Sequence, residues 1–296
     1  MSAIYSYKDY LSDPFRATIE LGRLLANSSL RLFLGAGVSS GFGLPEWREF
    51  IARVLGKDGD AAFMAELNST PMVDLRRHLD PVDDGTSKYF NAVHEALYRG
   101  VSPNLLEQLQ RSPLLLAIAA MMTGAHRGRV DSVVTYNYDD LLEQYLTMLG
   151  LAVCRRMRPN DLSTRADVEL NYVHGRLPQQ WKPSAGDPEI ILSEKSYRQR
   201  RAEIDEGWPA WVAHGLSSKI ALFIALSGDD SSILDVLKRA QKRVNRGTDF
   251  TGYWILTPDA FDRNKNDILD VGVCPIQLPK ERVPDFIFAI CQHAAS

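Results

Sequence analysis

The chain has 296 residues, 45% of them hydrophobic and 24% charged, with a formal net charge of −3. That balance can bury a full core, and the slight acidity argues against a chain that holds nucleic acid by itself, because phosphate binding needs a basic surplus. The cysteines Cys154, Cys274 and Cys291 form no CxxC pair, which suits a reducing compartment and argues against a disulfide framework or a cysteine zinc site.

No stretch approaches about 20 uninterrupted apolar residues, so no membrane span is expected. The opening MSAIYSYKDYLSDPF lacks the basic-then-apolar order of a signal peptide, and the cytoplasm is the expected location. Two short basic runs (Arg155, Arg156 and Arg158; Arg198, Arg200 and Arg201) read as solvated helix faces or loops.

The first predicted element is a helix over residues 14–26, with Asp13 placed to cap it and Pro14 in its first turn. A buried strand follows at residues 30–34 and ends on glycines. Residues 45–55 read as a helix with Trp47, Phe50, Ile51, Val54 and Leu55 on one face and Gly56 at its end. Residues 57–129 carry helical periodicity and no convincing strand, and are expected to be a helical insertion within a single unit spanning 1–296. Strands then return at 132–135, 152–155, 171–174, 220–226, 252–256 and 273–277. Helices are predicted at 139–149, 197–214, 231–244 and 284–293. Such alternation implies right-handed crossovers and a doubly wound, mostly parallel Rossmann-like α/β sheet.

Three segments carry candidate chemistry. Gly35-Ala-Gly-Val-Ser-Ser-Gly41 follows the first strand and precedes a helix. Glycines let a backbone approach a pyrophosphate, and helix-start N–H groups attract negative charge. Ser40 stands where a dinucleotide fingerprint has its third glycine, and no acidic residue ends a second strand some 20 positions on. A purely structural turn is an equal reading. Thr135-Tyr-Asn-Tyr-Asp139 closes the second strand, offering an amide and a carboxylate from one turn; helix capping by Asn137 or Asp139 is the plainer alternative. Tyr172-Val-His-Gly175 closes a later strand, where His174 taken alone reads as a packed or surface imidazole.

Taken as one block, GAGVSSGFGLPEWREF resembles the opening of the sirtuin family, and the order of glycine turn, Thr-x-Asn-x-Asp and His-Gly resembles that family's order. The resemblance implies that Gly35, Ala36, Gly37, Ser39, Pro45, Glu46, Trp47 and Asp139 hold NAD, with looser likeness at Ser227, Gly228 and Asp229 for the adenosine ribose. Val273 and its neighbours are a positional guess for an adenine pocket. It implies His174 as general base and Asn137 as the residue positioning a water or ribose, with Asp139 orienting that asparagine or the carboxamide. Tyr136 and Tyr138 have no assigned role. Deacylating sirtuins carry a four-cysteine zinc ribbon after the His-Gly; this chain has no cysteine between Cys154 and Cys274. It also lacks the family's strand that pairs with an acyl-lysine peptide.

What remains resembles zinc-free, sirtuin-like proteins of bacterial anti-phage defence. That resemblance implies an NAD glycohydrolase releasing nicotinamide and ADP-ribose, with NAD as consumed substrate, no zinc and no further cofactor. It also implies a homo-oligomer, or a separate sensor such as a hexameric translocase-type ATPase, with no membrane or direct nucleic-acid partner. Three alternatives stand beside it: an NAD-dependent deacylase or ADP-ribosyltransferase, a module that senses NAD or ADP-ribose without turnover, and a conventional dehydrogenase.

Overall fold

The computed structural model describes residues 5–124, 128–162, 165–186, 188–202, 207–216, 218–228, 231–243 and 250–296. Among them seven strands form one sheet: β1 Leu30–Leu34, β2 Ser132–Thr135, β3 Val153–Arg156, β4 Val168–Tyr172, β5 Ile220–Ile224, β6 Gly252–Leu256 and β7 Val273–Gln277. Their order is β3-β4-β2-β1-β5-β6-β7, and every pairing is parallel. The chain is a doubly wound, Rossmann-like α/β protein.

Parallel strands covered on both faces read as continuous apolar runs, and β5, Ile-Ala-Leu-Phe-Ile, is buried at all five positions. Alternate side chains feed two separate cores. One face presents Leu30, Leu32, Leu34, Leu222 and Ile224, and the other presents Phe33, Ala221, Phe223 and Trp254. On the second face Phe223 stacks on Trp254 at 4.4 Å between centroids, which pins β5 to β6.

The first face is covered by α1 Tyr7–Ser12, α2 Arg16–Ala26 and α3 Trp47–Val54, among others. Between β1 and β2 come α4 Ala61–Ser69, α5 Met72–Leu75, α6 Ser87–Tyr98, α7 Leu105–Gln110 and α8 Pro113–Thr123. No strand occurs among the described residues of 57–129. Then follow α9 Leu141–Met148, α10 Glu194–Ala202, α11 Trp208–Gly215, α12 Ser231–Arg243, α13 Pro258–Asp270 and α14 Val283–Ala295. Among the described residues no helix is long and apolar enough to cross a membrane.

Several expectations shift. The first helix starts at Arg16, with Phe15 as N-cap and Asp13 accepting a hydrogen bond from the Phe15 N–H. The stretch predicted as one helix over 197–214 holds two, α10 and α11. Val244 lies outside the described residues. Helices α1 and α13 were not anticipated; α13 follows Thr257 with Pro258 in its first turn, and it buries Ala260, Phe261, Asn264 and Ile268. β4 runs over 168–172, so His174 lies two residues beyond it. β5 stops at Ile224 because Ala225 takes a positive φ of 60°.

That left-handed alanine lies where the turn after β1 meets the turn after β5. Gly35 N–H donates to the Ile224 carbonyl and Gly37 N–H to the Ala225 carbonyl, each at 3.2 Å. A Cβ on Gly35 would stand 2.5 Å from the Ala225 carbonyl oxygen and would overlap the Leu226 side chain. Gly41 has nothing within 4 Å of a Cβ. Gly35→Ala should therefore cost about 1–3 kcal/mol through overpacking, while Gly41→Ala should stay within about 0.5 kcal/mol; urea unfolding midpoints of the two variants measure the difference.

Candidate functional site

β1 pairs with β2 on one side and β5 on the other, so the chain winds outward in both directions from this strand. Doubly wound sheets take their ligands in the crevice beyond the carboxyl ends at such a switch point. The segments singled out at 35–39, 135–139, 174–175 and 227–228 all leave the carboxyl ends of β1, β2, β4 and β5.

The glycine segment is built as two 3-10 turns, Ala36–Val38 and Ser40–Phe42, and α3 begins only at Trp47. Its expected coupling to a helix N-terminus is therefore absent. Gly35 and Gly37 lack side chains because the β5 turn is pressed against them, and their N–H groups are spent inside the protein. Ala36 and Gly37 remain exposed on the rim, whereas Ser39 is buried at 2% exposure.

Ser39 is inside because it joins the first motif to the second. Its Oγ donates to Asp139 Oδ1 at 2.9 Å and accepts from Asn137 Nδ2 at 3.3 Å. The same Asp139 Oδ1 accepts the Leu141 N–H at 3.1 Å, and the Asn137 N–H donates to Thr135 Oγ1 at 3.1 Å. Asp139 thus serves both as a helix-start acceptor and as a member of the polar chain; α9 itself takes Asp140 as N-cap. Asn137 Oδ1 is buried without a hydrogen-bond partner. Asn137 lines a narrow crevice, water-sized in its enclosed part, together with Leu34, Val38, Thr135, Asp139, Leu142, Leu170 and Tyr172. Burial pushes the Asp139 carboxyl up to about 6, against the lowering effect of the Leu141 and Ser39 donors.

His174 is buried in the turn after β4. Its ring meets Tyr136 edge-on at 5.3 Å and Tyr138 in a stack at 6.3 Å, which gives the two unassigned tyrosines a place. The Tyr138 hydroxyl donates to the Ile191 carbonyl at 2.6 Å, and the Ile191 N–H returns to the His174 carbonyl at 2.8 Å. Gly175 has φ 88°, and a Cβ there would collide with the Glu189 carbonyl, so only glycine permits this crossing.

A buried ionic cluster holds the same turn. Arg176 donates to Glu143 Oε2 at 2.8 Å and Oε1 at 3.0 Å, and to Asp140 Oδ2 at 3.3 Å. Arg155 reaches Glu143 Oε1 at 2.6 Å, the Tyr172 hydroxyl donates to Glu143 Oε2 at 3.3 Å, and Gln179 N–H donates to Asp140 Oδ1 at 3.0 Å. Both carboxylates therefore have charge partners and donors, as buried charges require.

The remaining expected residues line the rim. Glu46 is exposed, Pro45 and Trp47 are half-buried, and Trp47 lies under the Arg76 guanidinium at 5.5 Å. Trp47 connects inward through Phe50 to Tyr138, with centroid separations of 5.8 and 6.2 Å. Ser227 is exposed and Gly228 buried with φ 87°; the Ser227 carbonyl accepts from Asn264 Nδ2 on α13 at 2.8 Å. Asp229 lies outside the described residues.

Two expectations fail. Val273 opens β7 at the amino end of the parallel sheet and is fully buried in the second core, so it cannot line a pocket at the carboxyl edge. Arg155 and Arg156 lie on a strand, β3, and not on a helix face or loop: Arg155 is exposed and pairs with Glu143, while Arg156 pairs with Glu169 at 3.5 Å and stacks on Trp211. Arg158 lies just beyond β3 and donates through Nε to Glu189 at 3.0 Å. Arg198 pairs with Glu194 on α10, and the side chains of Arg200 and Arg201 lie outside the described residues.

Residues 131–275 match the SIR2-like domain family. Over that stretch, about half of its length, the chain is sirtuin-like. The match begins just before β2 and ends within β7, so the glycine turn lies outside it and is tied in by the Ser39 hydrogen bonds. No curated protein matches the chain at a significant level. Cys154 and Cys274 are buried and Cys291 half-buried, all as free thiols, and no group of three metal-ligating side chains gathers among the described residues.

The sirtuin-like core rests on the Arg176 cluster, which sequence reasoning missed; its signal was the arginine directly after His-Gly and the acidic pair 140 and 143 opening α9. Arg176→Gln leaves Asp140 short of a cation and Glu143 with Arg155 alone, and should destabilise by about 3 kcal/mol in denaturant unfolding. Asp139→Asn should do the reverse at neutral pH. The wild-type carboxyl is raised from 3.8 to about 6 on folding, so its ionised form opposes folding above that range. The penalty is on the order of 2–3 kcal/mol. The variant should melt higher at pH 7, and its advantage should vanish as pH falls through about 6 toward about 4, where the folded wild type takes up the proton.

Proposed function

We propose that this sirtuin-like chain hydrolyses NAD at the nicotinamide–ribose bond. The observation that carries the reading is the buried, unpartnered Oδ1 of Asn137, a residue lining the crevice beyond β1 and β2, in the same strand-end region as His174. A buried acceptor without a partner is costly unless a ligand or water supplies a donor. A ribose hydroxyl and a water are donors of the right size.

In the reaction proposed, the bond between ribose C1′ and the nicotinamide nitrogen breaks, and its electron pair leaves with neutral nicotinamide. A water oxygen bonds to C1′ and loses a proton to His174, giving ADP-ribose. The balance is one NAD and one water to ADP-ribose, nicotinamide and one proton. Asn137 holds the water or the adjacent hydroxyl, while Ser39 and Asp139 hold Asn137. Ala36 and Gly37 offer exposed backbone to the dinucleotide on one side of the crevice, with Pro45, Glu46, Trp47, Ser227 and Gly228 around its rim. Orientation of the reacting pair and exclusion of bulk water are the main contributions asked of the protein. No zinc or further cofactor enters this scheme.

We further place the activity in bacterial antiviral defence, as a cytoplasmic homo-oligomer or together with a sensor such as a translocase-type ATPase, because unregulated hydrolysis would drain cellular NAD. The deacylase, transferase and pure sensing readings are separated by one assay. Purified protein is given NAD, with nicotinamide release and binding followed together, for wild type, His174→Ala and Asn137→Ala. Release that falls by about 100-fold or more in both variants, without any acyl peptide, is the expected result. Binding with no release points to sensing, and absence of binding removes the NAD reading altogether.

A further inference from the structure

The two ends of an asparagine amide have nearly the same shape, so hydrogen-bond polarity alone decides which one faces a ligand. Polarity around Asn137 can be traced back to a group that has no choice. The Leu141 backbone N–H is an obligatory donor, and it donates to Asp139 Oδ1. That oxygen is an acceptor whether the carboxyl is ionised or carries a proton on its other oxygen. The Ser39 hydroxyl shares the same oxygen at 2.9 Å and so commits its only proton there. Ser39 Oγ is then left as an acceptor, and the Asn137 group 3.3 Å away must be the NH2 end. The amide oxygen is the end that remains, buried and unpartnered, on a residue that lines the crevice.

We propose that Ser39 is a positioning residue: anchored through Asp139 on the Leu141 N–H, it turns the Asn137 amide so that its oxygen faces the crevice. The crevice therefore selects a hydrogen-bond donor, an O–H of water or ribose, and rejects an acceptor at that point. This deepens the proposed hydrolase reading and rests on it for the identity of the donor. The relay itself is a property of the protein alone.

The feature is specific in what it demands. Asn137 and Ser39 are 98 residues apart, and Ser39 and Asp139 are 100 apart. Both partners of Ser39 are buried, so water does not replace the serine hydroxyl at no cost. Asp139→Asn preserves the relay's geometry, since the Leu141 N–H draws the amide oxygen of the new side chain into the acceptor position. Ser39→Ala and Asp139→Ala both break it.

The test uses the full chain labelled with 15N at asparagine, and reads two signals: the Asn137 side-chain NH2 resonances, assigned by their loss in Asn137→Ala, and the kcat and KM for nicotinamide release. Ser39→Ala should move the Asn137 NH2 pair and lower kcat about tenfold or more with KM changed less than about threefold. Asp139→Ala should move the pair in the same sense, and Asp139→Asn should leave it near its wild-type position. An Asn137 NH2 pair unmoved in both Ser39→Ala and Asp139→Ala overturns the relay, as does an unchanged kcat in Ser39→Ala. Absence of nicotinamide release by wild type would overturn the hydrolase reading instead, while the resonances still decide the relay.

Discussion

Gly35 and Gly37 press their backbones against Ala225 and Leu226, and that contact sets the geometry of everything at the carboxyl edge of the sheet. It holds the turn after β1 flat on the turn after β5, closed by two hydrogen bonds to the Ile224 and Ala225 carbonyls. Ala225, at that contact, sits at positive φ, a local strain of the kind that gathers at functional sites. Because the turn is fixed on one side by β5, Ser39 is delivered on the other side to the strand end of β2. A residue with a side chain at position 35 would lift the turn and with it the serine.

From that support two polar systems diverge with opposite logic. The chain Leu141 N–H, Asp139, Ser39, Asn137 is neutral or singly charged and ends on an unmet acceptor. The cluster of Asp140, Glu143, Arg155, Arg176 and Tyr172 is charged, mutually satisfied and ends on nothing. The first leaves a hydrogen-bond acceptor open; the second braces the α9 start against the His174 turn. Adjacent residues, Asp139 and Asp140, belong to different systems, and the negative charge of Asp140 helps to raise the Asp139 carboxyl.

Much of this was legible in the sequence. Strand positions followed from short apolar runs, and β1, β2, β6 and β7 lie where periodicity put them. The order of the three motifs anticipated which strand ends meet. The misreadings have physical causes. β4 was set three residues too late because Val173 continues the apolar run, although it already belongs to the turn that Gly175 closes. α13 was overlooked because its exposed face is heavily charged and its buried face is short, with Asn264 among the buried residues. The glycines were read either as room for a pyrophosphate or as a structural turn, and the neighbour that Gly35 and Gly37 make room for within the protein is Ala225, 190 residues downstream of Gly35. Local pattern carries no information about such a partner. Arg176 did leave a signal, the arginine directly after His-Gly, but its value depends on charges of another element, Asp140 and Glu143.

The dependence of the β1 turn on the β5 turn also has a consequence during synthesis. Asn137, Asp139 and His174 leave the ribosome well before Ala225 does, and Ser39 earlier still. Until β5 has been made, the turn that carries Ser39 has neither its two carbonyl acceptors nor its packing surface. Chains emerge in order from the N-terminus, and non-local contacts wait for their later half. A nascent or truncated chain ending before β5 thus carries the polar residues without their arrangement, and translation itself acts as a timing lock on the site.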